Sequence, residues 1–355
     1  MRTAPPPTDG DAFSGGSFTG EAAPVPPTIS LRSIALPIAA VTLVIGALTL
    51  VGMGMVIEDQ KQNETAQLQS IADLKVRQLA VWVQEKQSDA RYLQTSPFFR
   101  DESTRLRTSN EEGVRQDLVE RLTAYQSAYS DTVSAAFMLD EAGRFMLGTE
   151  TASRDVPDVL RQEARDADAD HKLRMVGPYL DSAGHPRLNF LIPVIAEEQP
   201  SGPQPTMPHA SIVIEADIEQ YLFPLMKSWP LPNTSGETLL FKRADDQVLF
   251  LNELRYRPGA AANFTIPVTQ QAVLGAQILQ SPALVGQLIE GVDYRGEPVM
   301  GVARPVPGTD WYLIAKIDKA EFYRSVVSTA FRVGLAGLFT LLAAAGALYS
   351  RPCSG

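Results

Sequence analysis

The feature that most constrains this chain is a run of 24 residues without a single charge, IALPIAAVTLVIGALTLVGMGMVI, at 34–57. At 1.5 Å per residue such a helix extends about 36 Å, enough to cross a hydrocarbon layer of about 30 Å. Core helices of water-soluble domains rarely go so far uncharged. About 30 residues precede the run, it exceeds the usual signal-peptide core, and no small-residue cleavage site follows it cleanly. An uncleaved signal anchor over 33–57 is the expectation. A second apolar run, 333–349, reaches full spanning length if its helix starts near Val326 and Arg332 extends its guanidinium to the interface. The second span is therefore expected over 326–349. Arg2 and Arg32 precede the first span, Arg351 follows the second, and Glu58 and Asp59 follow the first. A positive-inside bias then puts the tails 1–30 and 350–355 in the cytoplasm and 58–325 outside the cytoplasmic (inner) membrane.

Composition narrows what the outer segment can do. A formal net charge of −10, with no basic patch interleaved with aromatics, argues against nucleic acid as a partner. Cys353 is the only cysteine, so there is no intrachain disulfide and no cysteine-based metal site. None of His171, His185 and His209 has a second ligand-type residue at a zinc-like spacing, and no metal or cofactor is expected. Residues 1–30, rich in Pro, Gly, Ser and Ala, bury too little surface to offset chain entropy and read as a disordered tail.

Between the spans the periodicity changes twice. From 60 to 95 there is no Pro or Gly, and Leu68, Ile71, Ala72, Val76, Leu79, Trp82, Val83, Ala90 and Leu93 share one face at helical period, with Leu74 off it. This predicts one long helix over 58–96, stopped at Ser96-Pro97 and serving either to pack on a sheet or as a dimer seam. A second helix is expected over 111–127. The period then becomes two. VSAAFMLDEAGRFMLGT is a hairpin, and 155–170 is polar and helix-compatible, with Asp166, Asp168 and Asp170 read as surface. GPYLDSAGHPRLNFLIPVI and ASIVIEADI add three strands, and the amphipathic EQYLFPLMKSW follows. The order recurs downstream. GETLLFKRADDQVLFLN is a hairpin, a helix is expected before Glu290, and GVDYRGEPVMGVARPVPGTDWYLIAKID supplies three strands. WPLPNTS at 229–235 reads as a linker, and AEEQPSGPQPTMPHA at 196–210 as a mobile surface insertion. The fold class is α+β, in two copies of hairpin, helical excursion and three-stranded run, over 97–228 and 236–322.

Two spans, a membrane-emergent helix and two PAS-like units resemble the double Cache sensor of bacterial transmembrane receptors, which include histidine kinases, diguanylate cyclases and chemoreceptors. The resemblance rests on MLDEAGRFMLGT, GPYLDSAGHPRLNFLIPVI, SIVIEADIEQY, GETLLFKR and VARPVPGTDWYLIAKIDKAEFY, and covers roughly residues 60–325. It implies a small-molecule ligand in the membrane-distal unit 97–228, a homodimer formed through 60–95, and a last strand running into the helix of the second span. Only six residues follow Tyr349, so no kinase, cyclase or methyl-accepting module is expected in this chain. Either the output domain is missing or a cytoplasmic partner carries the signal, and no enzymatic activity is assigned.

By the same resemblance, Tyr179 and Asp181 match the Tyr-x-Asp of an amino-acid-binding subset, and Asp217 its later Asp. The Arg-x-Trp-Tyr of that subset is absent from 151–176, where Arg161 and Arg165 stand without the aromatic pair. An amine or another small solute fits better than an ordinary α-amino acid. The residues themselves leave other readings open. Asp181 opens a turn, Tyr179 suits a core strand position, Asp217 suits a helix N-cap, and Arg161 and Arg165 suit a solvated helix face. Two further function classes stand beside the sensor. A membrane-anchored outer enzyme lacks a Gly-x-Ser-x-Gly, a His-Glu-x-x-His and a phosphate-cradling loop in the sequence. A two-span scaffold of the polysaccharide chain-length regulator type would be dominated by long helices.

Overall fold

The computed structural model describes residues 31–109, 111–194 and 210–349. The expected tails 1–30 and 350–355, and all of the Pro-rich insertion 196–210 but Ala210, lie outside them. By contacts the chain forms two units. One holds Met1–Gly52 with Val333–Gly355, and the other is Met53–Arg332. Both sheets lie in the second unit.

Helix α1, Leu31–Gln94, carries the first apolar run at its N-terminal end. Its nine apolar positions named above are all buried, and Leu74 is exposed. The stripe is a packing face, which resolves the alternative left open in the sequence. Pro97 ends α1 and also starts α2, Pro97–Ser109, which the sequence pattern does not predict. Proline is accepted in a first helical turn because its missing N–H has no intrahelical partner there. Helix α3, Glu112–Ala128, comes next.

The first sheet is built from β1 Val133–Asp140, β2 Phe145–Gly148, β3 Arg174–Leu180, β4 Pro186–Pro193 and β5 Ala210–Ala216, with α4, Asp158–Asp170, between β2 and β3. The order is β2-β1-β5-β4-β3, antiparallel throughout. After the six-residue α5, Leu222–Lys227, the second sheet contains β6 Glu237–Ala244, β7 Gln247–Phe250, β8 Thr265–Pro267, β9 Leu288–Val292, β10 Pro298–Pro305 and β11 Trp311–Asp318. Helix α6, Leu274–Gln280, lies between β8 and β9. Its order β8-β7-β6-β11-β10-β9 repeats the first, with the three-residue β8 added at the edge. Helix α7, Lys319–Tyr349, begins directly after β11 without an intervening residue.

Each sheet is covered on both faces. One apolar cluster runs along α1 and takes in Met138, Phe190 and Ile212 from the first sheet and Leu240, Trp311 and Leu313 from the second. The opposite face of the first sheet packs on α4 through Leu160, Ala164 and Ala167. The opposite face of the second packs on α6 through Leu274, Ala276 and Ile278. Three hairpins share one turn type. In Asp140–Gly143, Asp181–Gly184 and Asp293–Gly296, the Asp carboxylate accepts the N–H two residues on, and the Gly has φ near +80°. Asp-x-x-Gly in the sequence encodes these turns.

In the other unit, the Thr49 hydroxyl donates to the Ile45 carbonyl. A Cβ on Gly337 would lie 2.6 Å from the Thr49 side chain, so the two apolar segments touch where one residue has no side chain. Both are long and apolar enough to cross a membrane.

Candidate ligand-binding site

The α4 face of the first sheet changes character along its strands. Its middle is apolar, with Phe137, Leu139, Val176, Leu191 and Val213. Continuing the alternation toward one end brings polar residues to the same face: Asn189 and Arg187 on β4, Glu215 on β5 and Tyr179 on β3. Tyr179 reaches this face because the β3–β4 register shifts between Val176 and Tyr179. Gly177 makes the shift possible. Its φ is +116°, and a Cβ there would lie 2.5 Å from the Arg187 carbonyl oxygen.

These side chains form a salt-bridged network and, beside it on the same face, a hydrogen-bonded pair. Arg187 Nε donates to Asp181 Oδ2 at 2.8 Å, and its Nη1 donates to Glu215 Oε1 at 2.8 Å. Glu215 Oε1 also accepts from Ser134 Oγ at 2.8 Å. Asn189 Nδ2 donates to Tyr179 Oη at 2.5 Å, while Asn189 is fully buried and its Oδ1 has no hydrogen-bond partner among the described residues. Such an orphaned oxygen costs free energy unless something supplies a donor. Burial, reinforced by the Glu215 charge, pushes the Tyr179 hydroxyl pKa well up, so it stays protonated. Burial would raise Asp181, but the His185 amide, Arg187 and the Ala183 amide outweigh it and hold its carboxyl below the ordinary range.

Of the residues expected from sequence, Tyr179 and Asp181 thus lie at one end of the sheet, joined through Arg187 and its β4 neighbour Asn189. Asp217, just past β5, belongs to the same end by position. Its carboxylate accepts the Gln220 amide at 3.0 Å and the Gln220 side chain at 2.8 Å. It therefore caps the turn before α5, and the N-cap of the helix itself is Tyr221. Arg161 and Arg165 are elsewhere. Arg161 Nε donates to the Val156 carbonyl at 2.9 Å, and Arg165 reaches Gln162 and the Ala142 carbonyl in the β1–β2 turn. That turn comes after Asp140, which pairs with Ala210, whereas Glu215 pairs with Ala135. Five strand residues separate the two positions, about 17 Å.

Arg187, Glu215, Asn189 and Ser134 were not singled out from sequence. A signal existed: Arg187, Asn189 and Leu191 alternate on β4, and Glu215 is the one charge in the otherwise apolar SIVIEA. Their pairing needs the β4–β5 adjacency, which alternation does not give.

Two other buried polar groups were also missed. Asp168, read as surface, is buried on α4. Its Oδ1 accepts from Ser211 Oγ at 2.7 Å and its Oδ2 has no partner. Burial, with the Glu141 and Asp140 charges, pushes it up to about 6 against the pull of the Ser211 hydrogen bond. In the second sheet, Lys316 is fully buried, 2.9 Å from Asp293 Oδ2 and 3.0 Å from Glu237 Oε2. Arg295 bridges Asp293 and Asp318, and Tyr294 donates to Glu237. Unlike the first network, this one is closed on itself.

No family model matches the sequence, and no curated protein matches it. Solved structures do share its fold. The chain is similar to a domain described as that of a sensory box/GGDEF family protein from Vibrio parahaemolyticus, with 14% identity, TM-score 0.50, 76% of this chain and 100% of that one covered. It is similar to the extracellular domain assigned to the histidine kinase vpHK1S-Z8, with 14% identity, TM-score 0.50 and coverage of 77% and 96%. A third, assigned to the histidine kinase mmHK1S-Z3, gives 13% identity, TM-score 0.54 and coverage of 75% and 98%. The α+β architecture with a long N-terminal helix and two sheets is therefore that of Cache-type sensor domains, as the sequence resemblance implied.

Proposed function

We propose that the chain is the input module of a membrane receptor, held in the cytoplasmic membrane by α1 and α7 with its sheets outside. A small solute binds at the polar end of the α4 face of the first sheet. Binding shifts an equilibrium between two arrangements of the helices entering the membrane. The observation that carries this reading is Asn189 Oδ1, a buried acceptor without a partner beside Tyr179 and the Arg187–Asp181–Glu215 network. Two carboxylates, Asp181 and Glu215, share one guanidinium there, and Asp217 follows β5 at the same end of the sheet. That balance favours a cationic or hydrogen-bond-donating solute, an amine above all. Eleven strands in two sheets favour a sensor over a helical chain-length regulator.

A homodimer through α1 belongs to the same proposal, as does a separate signalling partner in the cytoplasm. Leu74, Val81 and Tyr92 are 37, 64 and 71% exposed and lie on one stripe of α1, away from its buried face.

The test is a thermal-shift panel of amines, amino acids, carboxylates and purines on the full chain in nanodiscs. At a hundred times its Kd a ligand adds about 2.7 kcal/mol. For a body of this size that is a rise in Tm of about 5–10 °C. An amine is expected to produce it, and Glu215→Gln or Asp181→Asn to remove it. A folded sample that responds to none of the four classes refutes the reading.

A further inference from the structure

A cavity lies apart from the polar network of the first sheet. It is a cleft of about 600 Å³ between α5, the linker 229–235 and the β6–β7 hairpin. The apolar part of its lining is Phe223 and Met226 from α5, Trp229 and Leu231 from the linker, and Leu254 from the segment after β7. A polar atom among them is unsatisfied. Thr238, a lining residue, is 1% exposed, and its hydroxyl has no hydrogen-bond partner among the described residues. Ligand pockets commonly combine an apolar wall with a few convergent polar groups in this way.

The charges around the cleft choose between ligand classes. Two carboxylates line it, and both are already engaged. Glu237 accepts from Lys316, Tyr294 and the Arg255 amide. Glu253 accepts the amides of Gly259 and Ala261. Arg255 is committed in part, its Nη1 donating to the Gly236 carbonyl at 2.9 Å. Lys227, at the last turn of α5, is exposed and has no ion-pair or hydrogen-bond partner among the described residues. Of these lining charges, Lys227 is thus the unpaired one among the described residues, and it stands beside an aromatic wall.

We propose that this cleft is a second small-molecule site, taking an aromatic monocarboxylate with its ring against Trp229, Phe223 and Leu254 and its carboxylate at Lys227. The site has a mechanical consequence. Trp229, Leu231 and Asn233 line it, and the next two residues of the same linker hold α7. Glu321 accepts the amides of Thr234 and Ser235 at 2.8 Å each. A ligand that moves the linker therefore acts on the first turn of α7 independently of the first sheet.

The test is calorimetric titration of benzoate, phenylacetate and indole-3-acetate into the full chain in nanodiscs, with benzylamine as the charge-reversed control. At least one of the acids is expected to bind saturably and at least tenfold more tightly than benzylamine. Lys227→Glu, at an exposed position that spares folding, is expected to weaken it at least tenfold, and Trp229→Leu likewise. Asp181→Asn, in the first sheet, is expected to leave it within twofold. No saturable binding of any acid to a chain with native circular dichroism overturns the proposal. So does binding indifferent to Lys227→Glu, equal binding of benzylamine, or binding lost with Asp181→Asn instead. Because the readout is separate from the amine response, this site and the first-sheet site can fail independently.

Discussion

A buried carboxyl with one oxygen unpartnered binds its proton more tightly in the folded chain than in the unfolded one. Asp168 is such a group, raised to about 6 from 3.8. Between those values the folded state carries more proton than the unfolded state, so stability falls as pH rises through the window. Asp168→Asn keeps an acceptor for Ser211 and removes the charge. It is expected to raise Tm at pH 7.5 and to bring little at pH 4.0, read by melting the full chain at both. An equal gain at both pH values, or a loss at pH 7.5, would refute this origin. Asp181 has the opposite sign. Its depressed pKa contributes stability above the unfolded value that is lost as pH falls through the folded one. Asp181→Asn keeps an oxygen for the Ala183 and His185 amides and loses the charge on Arg187. The expected cost is about 1–3 kcal/mol at pH 7, shrinking toward pH 2, as measured by denaturant unfolding. Asp168 was legible in principle. Leu160, Ala164, Ala167 and Asp168 share one helical face, but that face holds a single large apolar residue, and the acidic composition of 158–170 hid it.

Helix α1 divides its residues sharply by face, which gives a paired expectation. Leu79 is fully buried between α1 and the sheets, and truncation to Ala leaves a cavity costing about 2–5 kcal/mol. Val81, two residues on, is 64% exposed, so Val81→Glu is expected to leave the monomer's stability within about 0.5 kcal/mol. Under the dimer proposal, Val81→Glu instead shifts the full chain toward monomer, measured by light scattering after size-exclusion chromatography. A dimer indifferent to this substitution places the seam elsewhere. Long elements of strong period were readable: α1, the hairpins, and the run of three strands ending in β11. Helix α2 was not, because DESTRLRTS offers no wide apolar stripe. Strand β8 has three residues, too few to show alternation. Helix α5 begins only at Leu222 because Pro224 is accepted in a first helical turn and not deeper, and it ends shortly before Trp229-Pro230. The bulge at Gly177, which aims Tyr179, depends on how β3 meets β4, and no local periodicity encodes that.

The sheet order β2-β1-β5-β4-β3, repeated as β7-β6-β11-β10-β9, has a consequence at the scale of the whole chain. In each sheet the final strand sits centrally, so the next segment of chain leaves from the middle of a packed layer. After β5 the chain passes into α5 and the linker. After β11 it passes directly into α7. Three contacts tie those two exits together. Glu321 in the first turn of α7 accepts from Thr234 and Ser235, and the Asp318 amide donates to Ser235 Oγ at 2.9 Å. Asp318 is also held by Arg295, itself paired to the fully buried Asp293 side chain. Burial would raise Glu321, yet the Ser235 and Thr234 donors hold its pKa low, so it is charged near neutrality. If the linker is the connection between first-sheet ligand binding and α7, Glu321→Gln weakens the response without touching the first-sheet site. The expected outcome is ligand affinity within about threefold of wild type, with the ligand-dependent change in amide exchange across residues 319–326 lost. Hydrogen-exchange mass spectrometry of the full chain in nanodiscs reads both exchange and the binding midpoint. An unaltered exchange response in the variant would show that the signal reaches α7 through α1 and the sheets, and that the linker merely joins them.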